Sequence, residues 1–292
     1  MRKIIVDSKN EGSNLNIIIK YYYPYLNQNI LFKALRQKDI KINGKRIKEN
    51  VSLKSGDVVE IYIDDKYLLG ESNILEIIYE DENILIVNKK SGISVTTEKN
   101  SNSICLTDII KEKYGNDLEP CHRLDRNTSG LIIFSKNEES RRIILEKFKN
   151  HEIEKHYKTL VYGIPKEDHK VLRDFLFKDS KKNIVYISNV MKNGYLEIIT
   201  EYTVLKKNYK DNTAELDINL HTGRTHQIRA HLAYYGYPII GDGKYGNGEI
   251  NKKFKKSTQE LTSYKIIFNF EDDSRILNYL NGKVIEIKEL EY

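Results

Sequence analysis

The residues best suited to chemistry in this chain of 292 residues lie together in Cys121-His122-Arg123-Leu124-Asp125-Arg126-Asn127-Thr128-Ser129-Gly130-Leu131-Ile132-Ile133-Phe134. A carboxylate, Asp125, stands in a polar loop directly before an apolar run, with Arg123 and Arg126 on either side. A free aspartate titrates near 3.9 and burial raises that value, so nearby positive charge would keep Asp125 ionised inside a pocket. An ionised, partly desolvated carboxylate is a usable nucleophile. The same residues would also make a surface ion pair beside a turn, and local spacing leaves both readings open.

Other patterns suggest chemistry that their context does not support. Gly241-Asp242-Gly243-Lys244-Tyr245-Gly246 follows the glycine spacing of a dinucleotide site. Such a site must open a helix inside a βαβ unit, whereas Gly248 is expected to prolong a loop into Lys252-Lys253-Phe254-Lys255-Lys256. No nucleotide cofactor is expected. His221, His226 and His231 are five residues apart, which puts successive side chains about 140° apart on a helix and on opposite faces of a strand. A metal site is not expected either. Neither a G-x-S-x-G elbow nor a phosphate-loop lysine occurs.

Composition bounds the partners. The 48 basic and 42 acidic residues give a net charge of +6. Eight basic residues (Lys33, Arg36, Lys38, Lys41, Lys45, Arg46, Lys48, Lys54) face two acidic ones (Asp39, Glu49) between positions 33 and 54, a surplus equal to that of the whole chain. An anionic partner such as RNA would feel its positive field there. Cys105 and Cys121 form no paired framework, which points to reduced thiols and a cytoplasmic protein. No apolar run is long enough to cross a bilayer, so no membrane partner is expected.

The elements that must position these residues fall into two groups. From Asn14 to Ile63 the pattern is a helix at 29–36, alternation at 40–42, a tight turn at Asn43-Gly44 and a strand at 58–63. Polar residues 64–73 form a linker, with the boundary near residue 70, giving domains at 1–70 and 71–292. The second unit is strand-rich, with strands at 84–87, 131–134, 157–162, 196–199, 214–220 and 264–270. Helices are expected at 136–150 and 225–235, the latter carrying Ile228, Leu232 and Tyr235 on one face with Gly236 closing its end. This is an α+β pattern.

His122-Arg123-Leu124-Asp125-Arg126-Asn127-Thr128-Ser129-Gly130 resembles the signature of the ribosomal and transfer RNA pseudouridine synthases typified by RluA. Lys155-His156-Tyr157-Lys158-Thr159-Leu160-Val161-Tyr162-Gly163, Leu220-His221-Thr222-Gly223-Arg224-Thr225-His226-Gln227-Ile228-Arg229-Ala230-His231-Leu232 and the segment 236–246 agree in order and spacing. The segment 14–63 is similar to the S4-like RNA-binding module. The resemblance implies a mixed, mainly antiparallel sheet with flanking helices, preceded by a small S4-like α/β domain. It implies that Asp125 is the catalytic aspartate, Tyr157 the active-site tyrosine and Arg229 the arginine that pairs with the aspartate; Tyr157 is then expected to stack on the target base and take its C5 proton, directly or through water. Lys33, Arg36, Lys38, Lys41, Lys45, Arg46, Arg123, Arg126, Arg224 and His226 would contact RNA.

The expected activity is isomerisation of uridine to pseudouridine in structured RNA by a monomer without cofactor. Ribosomal RNA of the large subunit is the expected substrate, with transfer RNA or a catalytically silent assembly factor as alternatives. Lys90 stands where the family usually has proline, so a looser exit from the strand at 84–87 is expected. Leu261-Thr262-Ser263-Tyr264 replaces a common Leu-His-Ala and is expected to alter only a peripheral contact.

Overall fold

The computed structural model describes residues 2–23, 26–64, 67–68, 75–97 and 105–288. The chain forms two compact units, Met1–Glu76 and Ile77–Tyr292.

In the first unit, β1 (Arg2–Ile5), β2 (Ile40–Ile42), β3 (Lys45–Ile47) and β4 (Val58–Ile61) make an antiparallel sheet in the order β1-β4-β2-β3, accompanied by α1 (Leu15–Tyr22) and α2 (Gln28–Arg36). The side chain of Asn27 caps α2 by accepting from Asn29 N. Leu31, Ala34 and Leu35 then recur at helical spacing and join a core with Ile18, Ile40 and Ile61. Asn43 and Gly44 both have positive φ, 50° and 79°, which matches the twist of a two-residue hairpin turn. One strand of this unit is not among the expected elements. Arg2–Ile5 is a strand too short for its period to show, and it pairs with β4. Most of the expected linker, including the boundary near 70, lies outside the described residues, although Leu68 is buried in this core.

The second unit has the expected α+β architecture. Its sheet contains β5 (Leu75–Glu80), β6 (Ile84–Lys89), β7 (Glu119–Pro120), β8 (Ser129–Ser135), β9 (Ile153–Tyr162), β10 (His169–Asp179), β11 (Ile184–Ser188), β12 (Leu196–Asn208), β13 (Thr213–Leu220), β14 (Leu261–Phe268) and β15 (Val284–Glu286). The order is β11-β10-β12-β13-β9-β14-β8-β6-β5, with β7 beside β8 and β15 beside β14. β8 and β14 run parallel, and the other described pairings are antiparallel. The helices are α3 (Leu106–Tyr114), α4 (Glu138–Lys149), α5 (Gln227–Tyr234) and α6 (Gly248–Lys253). Leu131, Ile132, Ile133 and Phe134 are all fully buried, so β8 is covered on both faces and reads as an unbroken apolar run.

Three features correct the sequence reading. Residues 248–253 form α6, not a loop, because the Asn247 side chain accepts from Glu249 N and Ile250 N. The hairpin β10–β11 is unexpected from sequence because the buried Asp174, held by His231, occupies an inward slot and hides the alternation. Helix α5 is buried from Gln227 through Leu232, so it has no solvent-facing polar stripe, and its polar residues point at buried partners.

Candidate active site

Asp125 sits in the loop between β7 and β8, closed by a turn from Thr128 N to Asp125 O, 3.1 Å. The loop is fixed at both ends. On its exit side, Gly130 has φ 113°, and a Cβ there would stand 2.1 Å from Ser263 O, so β8 approaches β14 too closely for any side chain. Ser129 Oγ and Thr262 Oγ1 lie 2.8 Å apart across this seam, and Gln259 Nε2 donates to Thr128 Oγ1. The segment 261–264 is therefore the support beneath the loop, not a peripheral contact.

On the other side the exit turn of β6 closes on the same loop. Lys89 is fully buried and its Nζ donates to the carbonyl oxygens of Lys90, Ile93 and Arg126, at 3.1, 2.7 and 2.9 Å. Gly92 N also donates to Arg126 O, Arg126 Nε donates to Gly92 O, and Ser91 Oγ donates to Asn127 O. The turn is thus tightly tied without a proline at 90. Burial drives the Lys89 pKa down to about 7, with the Asp125 charge pulling the other way.

The ion pair on Asp125 comes from a distant helix. Arg229 Nη1 donates to Asp125 Oδ2 at 2.8 Å, while its Nε and Nη2 donate to Asp242 Oδ2 and Oδ1 at 2.7 and 3.0 Å. Asp242 therefore aims the guanidinium with a two-bond fork and leaves one nitrogen for Asp125. Asp242 in turn accepts from Lys244 N and Tyr245 N. Burial opposes both charges, but each outweighs it for the other: the Arg229 pKa is held above its ordinary value and the Asp242 carboxyl below its own. The glycines around Asp242 serve this tight turn. A Cβ at Gly241 would meet Thr258 O at 1.9 Å, and one at Gly246 would meet Asp242 O at 2.3 Å.

His226 stands beside the pair, its Nε2 4.0 Å from Asp125 Oδ2. Tyr245 Oη accepts from Val185 N, which leaves its hydrogen for His226 Nδ1, 2.9 Å away. The proton of a neutral ring is then on Nε2, facing the carboxylate. Burial pushes the His226 pKa down to about 4 against the pull of Asp125, so the ring is neutral at pH 7. Tyr157, on β9, is buried among the same residues. Burial raises its phenol above the ordinary tyrosine range, and the Asp125 charge adds to that.

Asp125, Tyr157, His226 and Arg229 line one cavity of about 570 Å³, and Arg123 and Arg224 line it too. That volume is within the range of small-ligand sites. Arg126 is not among the lining residues. Lys33, Arg36, Lys38, Lys41, Lys45 and Arg46 all belong to the first unit, on α2, the β2–β3 hairpin and the turn between them. Lys41 Nζ lies over the Tyr62 ring at 4.9 Å and Arg46 Nη1 donates to Lys38 O.

Residues 83–234 match the family model described as RNA pseudouridylate synthase. The chain belongs to that family. It is 34% identical to an uncharacterised RNA pseudouridine synthase of Mycoplasma capricolum, over 98% of this chain and 97% of the relative. It is also 34% identical to ribosomal large subunit pseudouridine synthase C of Buchnera aphidicola, over 94% and 91%. Human RNA pseudouridylate synthase domain containing 1 shares the fold, with a TM-score of 0.60 at 20% identity over 76% of this chain and 85% of that one. The protein is accordingly an isomerase acting on RNA.

Sequence reasoning overlooks several residues of this candidate site. Asp242 is hidden inside the misleading glycine pattern, and Lys89 looks like an ordinary strand-end lysine. Gln227 pins the rim: its Oε1 accepts from Thr222 Oγ1 and Arg224 N, and its Nε2 donates to Ile199 O and Thr200 Oγ1. The three histidines of the same motif part company. His221 meets Glu201, His226 meets Tyr245, and His231 is buried between Asp174 and Thr200.

Proposed function

We propose that the enzyme converts specific uridines of structured RNA, foremost large-subunit ribosomal RNA, to pseudouridine, with Asp125 as the nucleophile. The observation that carries this reading is the placement of the Asp125 carboxylate, paired to Arg229, in a cavity shared with Tyr157. The reaction breaks the N1 glycosidic bond, turns the ring and joins C5 to the ribose C1′. All atoms of uridine are kept and one proton moves from C5 to N1, so no cofactor is needed to balance it.

The target base must leave its stack to reach Asp125, at a cost of about a few kcal/mol that cavity and backbone contacts offset. Arg229 and the Nε2–H of His226 favour the ionised carboxylate. One of its oxygens bonds to the ribose C1′ as the N1 glycosidic bond breaks and the base leaves as an anion, and C5 of the turned base then displaces that oxygen from C1′. Tyr157 offers a flat apolar face for the detached ring. Because burial raises its pKa, Tyr157 acts as a neutral stacking residue, and the C5 proton passes to the Asp125 carboxylate once it is freed. This departs from the expectation that Tyr157 takes that proton, directly or through water.

The test is tritium release from C5-labelled uridine in RNA taken from cells lacking the gene, with wild type and Asp125→Asn side by side. Release with wild type alone is expected. Equal release from both would remove Asp125 from the chemistry, and silence from both would support an assembly factor that binds without turnover.

A further inference from the structure

The cavity holds more positive charge than Asp125 requires. Its two carboxylates are already committed, Asp125 to Arg229 and Glu119 to Lys111 at 2.5 Å. Four other cations line it, Arg123, Arg141, Lys155 and Arg224, and none of them forms an ion pair with a described residue. Arg123, Arg141 and Arg224 are exposed at the rim, where unpaired arginines are common. Lys155 is different. Its side chain is half-buried and its ammonium lies over the ring of Phe148, 4.8 Å from the centroid. Burial alone pushes its pKa down to about 8. A partly buried ammonium without a counter-charge is costly to keep unless something supplies one.

His122 adds an independent sign. Its ring packs on the edge of the same Phe148, 5.1 Å between centroids. Ile133 N donates to His122 Nε2, which puts the proton of the neutral ring on Nδ1. That Nδ1 is buried with no acceptor, and His122 is the only described lining residue left in that condition. Burial, with Lys155 adding to it, pushes the His122 pKa down to about 3, so the ring adds a donor and no charge. Around Phe148 the cavity thus offers a cation and a spare donor, and its two carboxylates are both committed elsewhere.

We propose that Lys155, Arg141, Arg123 and Arg224 form a phosphate subsite that holds a phosphodiester of the RNA strand beside the nucleotide presented to Asp125. The assignment rests on the RNA reading given above. The four cations line the same cavity as Asp125, so a phosphodiester on the strand that presents the nucleotide meets positive charge there.

The experiment is a ligand-observed NMR titration of the full-length protein with uridine 3′,5′-bisphosphate, uridine and inorganic phosphate. The bisphosphate should bind at least tenfold more tightly than either of the others. Lys155→Met and Arg141→Gln should each remove most of that advantage while leaving uridine affinity unchanged. Thermal melts check that Lys155→Met folds; if it does not, Arg141→Gln, on an exposed turn of α4, decides alone. Equal binding of uridine and bisphosphate, an advantage that survives substitution, or inorganic phosphate matching the bisphosphate would each overturn the subsite. Pseudouridine formation measured in parallel separates the two ideas. Turnover without a bisphosphate preference rejects only the subsite, whereas a preference without turnover supports the subsite and rejects the isomerase reading.

Discussion

The basic segment of the first unit and the Asp125 site of the second are built in opposite ways. The first gathers its charges within one stretch, residues 33–54, on the end of α2 and a hairpin, where adjacency in sequence places them side by side. The second draws Lys89, Asp125, Tyr157, Arg229 and Asp242 from five separate elements, and its central contact spans 104 residues of chain. Charges of the first kind act additively through a field and are screened by salt. Groups of the second kind act as one unit, so removing any member should cost more than its own contact.

The largest effect that would sharpen this contrast is expected from Asp242→Ala. It strips the fork from a buried guanidinium, and breaking such a pair costs about 3 kcal/mol or more. Urea unfolding should show that loss, and single-turnover rates should fall by about a hundredfold or more. A variant with unchanged rate would mean that Arg229 is aimed without Asp242. Lys89→Met comes next. It leaves carbonyls of the exit turn without their donor, worth about 1–3 kcal/mol, and should lower turnover with RNA affinity unchanged. A fall in affinity alone would place Lys89 with the binding surface instead.

Smaller and more graded effects are expected in the first unit. Replacing Lys41, Lys45 and Arg46 by glutamine should flatten the salt dependence of RNA binding by about 0.7 log units per lost phosphate contact on single strands. An unchanged slope would show those charges to be merely solvated. The smallest effect is in pH. His226 has a folded pKa of about 4, below its ordinary 6.5, so between those values the unfolded chain binds a proton that the folded chain does not. Stability should therefore fall as pH drops through that window, and His226→Asn should lessen the slope by at most about 1.4 kcal/mol per pH unit. Denaturation at pH 7 and pH 5 measures it, and identical slopes would mean that the buried ring charges freely.

The same contrast explains what could be read from the sequence. The α2 helix, the Asn43-Gly44 turn and the apolar run of β8 are local patterns, and each appears where periodicity and turn chemistry put it. Asp125 stands out for the same reason, as a carboxylate between two arginines. Its actual ion pair is with Arg229, which only the assembled sheet brings near. Tyr157 is one of 21 tyrosines, and in an apolar strand nothing but the family motif distinguishes it. Asp174 and Asp242 were illegible because a buried carboxylate is recognised by its partner. The partners of these two, His231 and Arg229, lie 57 and 13 residues away. The glycines at 241 and 246 match a dinucleotide spacing in the sequence, and in the fold each stands where a Cβ would clash with backbone, at Thr258 O and Asp242 O.

The central claim is that chemistry resides in the Asp125 cavity while the basic segment contributes attraction. The most direct test measures RNA affinity and single-turnover rate together for Asp125→Ala and for the triple glutamine variant. The account predicts a crossed result: Asp125→Ala binds RNA nearly as wild type does and makes no pseudouridine, and the triple variant binds more weakly but reacts normally at saturation. Loss of binding with residual turnover in Asp125→Ala would contradict it.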